Sequence, residues 1–257
     1  MRGIQEKVVI ITGGAQGIGK ATCKEFLHYG ASVVIADINS EMGKQTEKEL
    51  KDSGHPVLFV ETDTANEASV LNMVQETIST FGRIDVLVNG AAVFIMRGIE
   101  ATVEEWRKIM DVNIMGYALC VKHVVPEMMK VGNGAIVNIA STSSFIAQPK
   151  YLTYNATKAA VANMTRCMAL DLAEHNIRVN AVCPGTVWTK NGEDFTMKTM
   201  GLNREQADMH PEIGGAHMLK RTADPDEIAS VIVFLASDGS SFITAENVMV
   251  DGGYTAQ

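Results

Sequence analysis

The sequence predicts a doubly wound α/β fold, in which a parallel seven-stranded sheet carries helices on both faces. Short apolar segments rich in Val and Ile alternate with longer amphipathic segments along all 257 residues. Six of the seven predicted strands are continuous apolar runs, as strands buried on both faces of a parallel sheet require. No linker rich in Pro, Gly or Ser interrupts the alternation. We therefore expect a single domain spanning residues 1–257.

The elements follow from these two kinds of segment. The short β-branched runs predict strands at Val8–Thr12, Ser32–Asp37, Val57–Glu61, Val86–Asn89, Ala135–Ile139, Arg178–Val182 and Asn247–Val250. The amphipathic segments predict helices at Gly17–Tyr29, Glu41–Ser53, Glu67–Phe81, Val103–Lys130, Thr153–His175 and Pro225–Ala236. The alternation of strands and helices is interrupted at residues 184–223, because glycines are frequent there and only Glu193–Met200 looks helical. This segment is interpreted as a substrate lid, with an ordinary surface insertion as the alternative.

Composition and charge exclude several classes of function. The 22 Lys and Arg residues against 30 Asp and Glu give a net charge of −8, and no basic cluster suggests binding to nucleic acid or an anionic membrane. The longest apolar run, Ala91–Met96, is far shorter than the ~18 residues that span a bilayer. An acidic residue near the N-terminus and no small-residue cleavage site argue against a signal peptide. We expect a cytoplasmic protein without membrane or nucleic-acid partners.

The four cysteines indicate neither disulfides nor a metal site. No C-x-x-C occurs, and no His pair has the spacing of metal ligands. We expect reduced, mostly buried thiols and no metal. A catalytic cysteine is the alternative, but no His lies close in sequence to activate one.

A glycine-rich turn follows the first strand and opens the first helix. Gly13, Gly17 and Gly19 form the pattern T-G-x-x-x-G-x-G, which lets a pyrophosphate approach the amides of a helix N-terminus. The second strand ends at Asp37, whose carboxylate can accept hydrogen bonds from the ribose hydroxyls of NAD and would repel the 2′-phosphate of NADP. The sequence therefore favours NAD. A solvated Asp at a strand end is the alternative.

A Tyr and a Lys four residues apart begin the fifth predicted helix. Tyr154 and Lys158 share a helix face, so the ammonium can lower the pKa of the phenol toward a working value. Ser141 follows the strand Ala135–Ile139, and such strand ends line the ligand crevice of α/β sheets. Ser141 and Tyr154 could therefore reach one substrate oxygen.

With these motifs in order, the whole chain resembles the short-chain dehydrogenase/reductase enzymes, which have a Rossmann-like fold. The matching positions are Thr12–Gly19, Asp37, Asp63, Val88–Ala92, Asn113, Ser141, Tyr154, Lys158, Asn180–Gly185, Thr189 and Asp251–Gly253. The resemblance implies that Tyr154 is the acid/base, that Ser141 holds the substrate oxygen, and that Lys158 lowers the Tyr154 pKa and binds the nicotinamide ribose. Asn113 would kink its helix and position a water of the proton relay; the alternative is a polar residue on a helix face.

The resemblance also implies an NAD site and a homotetramer. Asp63 would contact the adenine amino group, and backbone at Asn89, Val187 and Thr189 would contact ribose and carboxamide. The complete set of expected cofactor residues is Gly13, Gln16, Gly17, Ile18, Gly19, Asp37, Asp63, Asn89, Tyr154, Lys158, Pro184, Gly185, Val187 and Thr189. The expected tetramer would pack through the two long helices.

Three positions depart from the family pattern. Gly90 and Ala92 stand where the family usually has Asn and Gly, so we expect altered packing with the cofactor contact intact. Ala245 stands where the family commonly has Gly, which leaves the geometry of that turn open.

The expected substrate wall is mostly apolar. Its residues are Phe94, Ser143, Gln148, Tyr151 and Trp188, together with Val93, Ile95, Met96, Phe145, Phe195, Met197 and Met200. A bulky or cyclic secondary alcohol, or its ketone, therefore fits better than a small polyol. An NAD-dependent sugar or polyol dehydrogenase is the alternative, and a non-catalytic dinucleotide-binding regulator is a more remote one. A reductase of acyl-carrier-protein thioesters is disfavoured, because such relatives usually carry Arg at Gln16 and lack Asp37.

Overall fold

A parallel seven-stranded sheet with the order β3-β2-β1-β4-β5-β6-β7 forms the centre of the computed structural model, which describes residues 1–257. The strands are β1 (Val8–Thr12), β2 (Ser32–Asp37), β3 (Val57–Glu61), β4 (Val86–Asn89), β5 (Gly134–Ile139), β6 (Ile177–Pro184) and β7 (Asn247–Val250). The helices are α1 (Gly17–His28), α2 (Ser40–Asp52), α3 (Glu67–Phe81), α4 (Val103–Met110), α5 (Gly116–Val131), α6 (Leu152–Leu172), α7 (Lys190–Met200), α8 (Arg204–Met209) and α9 (Pro225–Ala236). All neighbouring strands pair in parallel. The predicted doubly wound fold is confirmed.

Both faces of the sheet are buried, which explains the continuous apolar runs. Val9 and Ile11 join an apolar cluster with α1 and α9, whereas Ile10 between them joins a second cluster with α3 and α5. None of these three side chains is exposed to solvent. Alternate residues of a strand therefore contribute to two separate hydrophobic layers.

The strand order reverses beside β1. The chain adds β2 and β3 on one side of β1 and then returns to add β4 on the other side. Such a reversal opens a crevice at the carboxyl ends of the two strands. Thr12 and Asn89, the last residues of β1 and β4, lie opposite one another in the register. The sequence motifs converge at this edge.

Two predicted elements differ from those observed. The helix predicted over Val103–Lys130 contains a π turn at Asp111–Met115, where the Gly116 N–H donates to the carbonyl of Asp111. Hydrophobic periodicity cannot reveal one widened turn. The prediction that only Glu193–Met200 is helical between residues 184 and 223 was wrong, because α7 begins earlier and α8 follows it. Three of the four cysteines are buried, and all are free.

Ala245, just before β7, adopts a left-handed conformation with φ of +64°. An L-residue there costs about 1–2 kcal/mol, partly offset because Gly adds entropy to the unfolded chain. We expect Ala245→Gly to raise the free energy of unfolding by about 0.5–1 kcal/mol, measured by urea denaturation. The matched control is Ala68→Gly at an exposed position in the first turn of α3, which should lower it by up to about 0.5 kcal/mol, less than Gly costs in a helix interior. Equal losses in both variants would contradict strain at Ala245.

Candidate active site

The turn between β1 and α1 forms a backbone cradle at a helix N-terminus. Gly13 has φ of +71°, and a Cβ on Gly19 would overlap the carbonyl oxygen of Gly13. Gln16 makes no side-chain cap, and no acidic residue lies in the first turn of α1. The N–H groups around Gly17 and Ile18 therefore lack capping side chains, and such helix ends bind phosphate. This cradle fits the pyrophosphate of a dinucleotide.

Thr12 ties this cradle to the loop after β4. Its hydroxyl oxygen accepts hydrogen bonds from the N–H groups of Gly90 (3.0 Å) and Ala91 (3.2 Å). A Cβ at Gly90 would lie 2.8 Å from the Thr12 carbonyl oxygen and 3.0 Å from the Ile139 side chain. The Asn that the family pattern has at this position would not fit without a backbone shift, and Ile139 occupies the adjacent space.

The two predicted cofactor carboxylates lie at the ends of neighbouring strands. Asp37 accepts hydrogen bonds from the N–H groups of Ala15 (3.1 Å) and Asn39 (2.9 Å), so it lies directly beside the glycine turn. Asp63 follows β3 and accepts a hydrogen bond from the Ala65 N–H at 3.0 Å. The acidic side chain nearest to the turn is therefore the one at the end of β2.

The side chain of Asn89 lies in the interior of the sheet. Its side-chain amide is fully buried and donates to the Asn138 side-chain oxygen at 3.0 Å, while its own oxygen has no partner. Any contact of Asn89 with a cofactor would therefore involve its backbone.

The remaining predicted cofactor residues lie where β6 leads into residues 184–223. Pro184 ends β6, and the Gly185 N–H donates to the carbonyl of Val250 at 3.1 Å. Val187 forms an isolated bridge with Ala223, the far end of the same segment. The hydroxyl of Thr189 caps α7 by accepting the Gly192 N–H at 3.1 Å, and its methyl group faces Gly17 of the glycine turn.

Ser141, Tyr154 and Lys158 converge at the ends of β5 and α6. Tyr154 and Lys158 lie one helical turn apart and are both buried. The hydroxyl oxygen of Ser141 accepts the Ser143 N–H at 3.1 Å. The Lys158 ammonium donates to the Ile139 carbonyl at 2.6 Å and lies 5.8 Å from the centre of the Tyr154 ring.

Burial controls the ionisation of this group. It raises the pKa of Tyr154, whereas the sequence predicts that the Lys158 ammonium lowers it. The group that opposes the shift is Ser141, through a hydrogen bond. Burial also lowers the pKa of Lys158 to about 8. At neutral pH the site therefore combines a neutral phenol, which can donate a proton, with a mainly charged ammonium.

Asn113 lies inside the π turn and joins three segments. Its side-chain oxygen accepts the Val93 N–H at 2.8 Å, and its amide donates to the Val93 carbonyl at 3.1 Å and to the Thr157 hydroxyl at 3.3 Å. Thr157 directly precedes Lys158 on α6. The side chain of Asn113 therefore fixes the loop after β4 against the helix that carries Tyr154.

The predicted substrate residues surround the same edge. The exposed ring of Phe94 stacks on Tyr154 with centroids 5.4 Å apart and an interplanar angle of 23°. The Ser143 hydroxyl donates to the side-chain oxygen of Gln148 at 2.8 Å. Tyr151 is half-buried just before α6. Trp188 lies near the start of residues 184–223, where its backbone N–H donates to the Ala223 carbonyl at 2.8 Å.

The structure adds two residues to this region. Tyr117 lies behind Lys158, and its hydroxyl donates to the Ile139 carbonyl at 3.2 Å. His217 is buried and connects the two ends of residues 184–223, because one ring nitrogen accepts the Thr186 N–H (3.1 Å) and the other lies 2.9 Å from the Ile213 carbonyl oxygen. Neither residue belongs to a recognisable motif.

A cavity of about 270 Å³ lies beside β7 and includes His217, Arg221 and Asp251 in its wall. None of the predicted catalytic or substrate residues lines it. No group of three or more His, Cys, Asp or Glu side chains could hold a metal ion. None of the helices combines the length and apolar character needed to cross a membrane.

The comparisons with known proteins assign the family. The model described as Enoyl-(Acyl carrier protein) reductase matches residues 13–255. A cis-4-hydroxycyclohexanecarboxylate dehydrogenase of Sinomonas cyclohexanicum is 39% identical over 98% of this chain and 97% of its own length. This chain belongs to the short-chain dehydrogenase/reductase family. The enzyme is therefore an oxidoreductase, and its family and fold imply a nicotinamide dinucleotide cofactor.

Other members of the family are 34–40% identical over nearly their whole length. An uncharacterized oxidoreductase of Thermotoga maritima is 40% identical over 99% of this chain and 98% of its own length. A cyclopentanol dehydrogenase of a Comamonas species is 35% identical over 98% of both chains. The solved structure "Crystal structure of gox2181" matches with a TM-score of 0.89 and 34% identity, covering 98% of this chain and 97% of that one.

Proposed function

We propose that this enzyme is an NAD-dependent dehydrogenase of secondary alcohols, acting on a bulky or cyclic alcohol or its ketone. The observation that carries the proposal is the convergence of Ser141, Tyr154 and Lys158 beside a glycine turn whose nearest carboxylate is Asp37. The relatives named for a hydroxycyclohexane carboxylate and for cyclopentanol support a cyclic substrate.

The site residues move and stabilise one proton. In ketone reduction Tyr154 gives its hydroxyl proton to the carbonyl oxygen, and in alcohol oxidation it takes that proton back. With substrate bound, the Ser141 hydroxyl hydrogen turns from Tyr154 to the same oxygen, while the Ser141 oxygen keeps accepting the Ser143 N–H. The Lys158 ammonium stabilises the phenolate that forms on Tyr154. When bound, the nicotinamide accepts or supplies the hydride.

The residues present fit NAD. The cradle around Gly13 and Gly19 would hold the pyrophosphate, and Asp37 would accept hydrogen bonds from the adenosine ribose. A 2′-phosphate would place its negative charge beside this carboxylate. Residues 184–223 act as the substrate lid of a single domain, with Thr189 meeting the glycine turn from the lid side.

A sugar or polyol dehydrogenase is the second candidate. The Ser143–Gln148 pair favours it, because that pair offers polar atoms to a second hydroxyl on the substrate. Phe94 favours the first candidate, because an exposed aromatic ring beside Tyr154 offers an apolar surface to a hydrocarbon ring.

The substrate class is tested by NADH formation with cyclopentanol, cyclohexanol, cis-4-hydroxycyclohexanecarboxylate, sorbitol and glucose, each with NAD and with NADP. We expect kcat/KM for at least one cyclic alcohol to exceed that for the sugars by about 10- to 100-fold, because hydroxyls cannot be solvated against the apolar wall. Preference for sorbitol or glucose would select the second candidate. NADH binding without turnover of any alcohol or ketone would instead indicate a non-catalytic dinucleotide-binding protein.

A further inference from the structure

The Ile139 carbonyl at the end of β5 accepts two side-chain hydrogen bonds, one from α6 and one from α5. The Lys158 ammonium donates to it at 2.6 Å, and the Tyr117 hydroxyl of α5 donates at 3.2 Å. All the participating groups are buried, and Tyr117 is only 2% exposed. One backbone oxygen is therefore shared by a residue of the proposed proton-transfer site and by one outside it.

The ammonium also lies between two tyrosine rings. Its nitrogen is 5.7 Å from the centre of the Tyr117 ring and 5.8 Å from that of Tyr154. Both distances lie within the range of cation–π attraction. Tyr117 thus contacts Lys158 through its ring and competes with it through its hydroxyl.

We propose that Tyr117 is a positioning residue for Lys158: its hydroxyl shares the Ile139 carbonyl and keeps that oxygen satisfied when the ammonium turns toward the cofactor. This inference rests on the proposed NAD-dependent function and on the role that the family resemblance gives Lys158 in binding the nicotinamide ribose. Without the Tyr117 hydroxyl, Lys158 would be the only side-chain donor to this buried carbonyl. If the ammonium then turned away, the buried Ile139 carbonyl would be left without a hydrogen-bond donor, and an unpaired buried acceptor costs free energy.

No other charged side chain competes for the ammonium. The titratable groups that face it are Tyr154 on its own helix, Tyr117 on α5 and Cys183 on β6; Tyr117 in turn faces Cys120. Burial raises the pKa of Tyr117 and of both thiols, so all remain neutral near neutral pH. A change in the pH dependence of NADH binding above neutral pH therefore reports the deprotonation of Lys158.

The test is the dissociation constant of NADH as a function of pH, measured by nucleotide fluorescence, for the unsubstituted enzyme and Tyr117→Phe. Phe keeps the ring and removes only the hydroxyl. We expect NADH binding to weaken by about 2- to 10-fold. Without the Tyr117 hydroxyl, the charged form of Lys158 binds the Ile139 carbonyl more strongly, and this raises the pKa of Lys158. The pH at which NADH binding is lost should therefore rise by about 0.4 to 1 unit.

Val161→Ala is the matched structural control. Val161 lies in the same apolar cluster as Tyr117 and offers no polar group, so this variant should lower the thermal midpoint without shifting the pH dependence. An equal shift in Val161→Ala, an unchanged pH dependence in Tyr117→Phe, or a downward shift would each overturn the inference.

Two further measurements separate this inference from the proposed function. Failure of the unsubstituted enzyme to bind NADH would refute the proposed cofactor chemistry and this inference with it. The role of Tyr117 alone would be refuted if the unsubstituted enzyme bound NADH and oxidised cyclopentanol, while Tyr117→Phe lost NADH binding at the same alkaline pH as the unsubstituted enzyme.

Discussion

Replacing Tyr154 with Phe is expected to lower kcat for cyclopentanol oxidation by about 10²- to 10⁴-fold. The substitution keeps the ring that stacks on Phe94 and lies beside Lys158, so packing and cofactor binding should change little. It removes the only group at that position able to carry the transferred proton. Steady-state kinetics with saturating NAD, together with an NADH dissociation constant, would separate a loss of chemistry from a loss of binding.

Tyr29→Phe is the control for this substitution, because Tyr29 caps the far end of α1 and is remote from the crevice. It should retain the activity of the unsubstituted enzyme. Turnover by Tyr154→Phe within tenfold of that activity would refute Tyr154 as the acid/base and direct attention to Ser141.

The second large effect is expected at Asp37. Replacing it with Asn keeps the shape and an acceptor for the N–H of Ala15 or Asn39 but removes the negative charge. We expect the ratio of kcat/KM for NAD to that for NADP to fall by about 10²-fold, because a like charge beside the 2′-phosphate costs several kcal/mol. Kinetics with both nucleotides at fixed alcohol concentration measure this ratio.

Glu61→Gln provides a matched charge change on the neighbouring strand. Glu61 pairs with Asp37 in the register of β2 and β3, but it makes no hydrogen bond to the glycine turn. Its replacement should leave the nucleotide ratio nearly unchanged. A preference of the unsubstituted enzyme for NADP, or equal effects of the two substitutions, would contradict the role given to Asp37.

The features predicted from the sequence are those whose geometry is local. The strand runs predicted the sheet because parallel strands buried on both faces need continuous apolar residues. The i, i+4 spacing of Tyr154 and Lys158 fixes their common face wherever the helix packs. The position of Ser141 in the site was predicted from one rule of tertiary structure, that the carboxyl ends of parallel strands line the ligand crevice.

The features missed depend on contacts between distant segments. Tyr117 meets Lys158 only because α5 and α6 pack beside β5, and an isolated Tyr in an apolar helix gives no sign of this. The short helix α8 is a different case, since Asn203 and Gln206 form a capping box that the sequence displays. The prediction for residues 184–223 did not use this signal.

α4, the π turn and α5 form one continuous helical rod beside α6, and the π turn corrects the rotation of side chains around the axis of this rod. Ile109, Asn113 and Tyr117 are all buried and follow one another at intervals of four residues. In an ordinary α-helix each such step rotates the side chain by about 40°, so the third residue would have wound well away from the first. One wider turn takes back part of that rotation and keeps the row straight. The rod can therefore remain in contact with α6 through both α4 and the π turn, while directing a polar side chain and a buried phenol toward the same crevice.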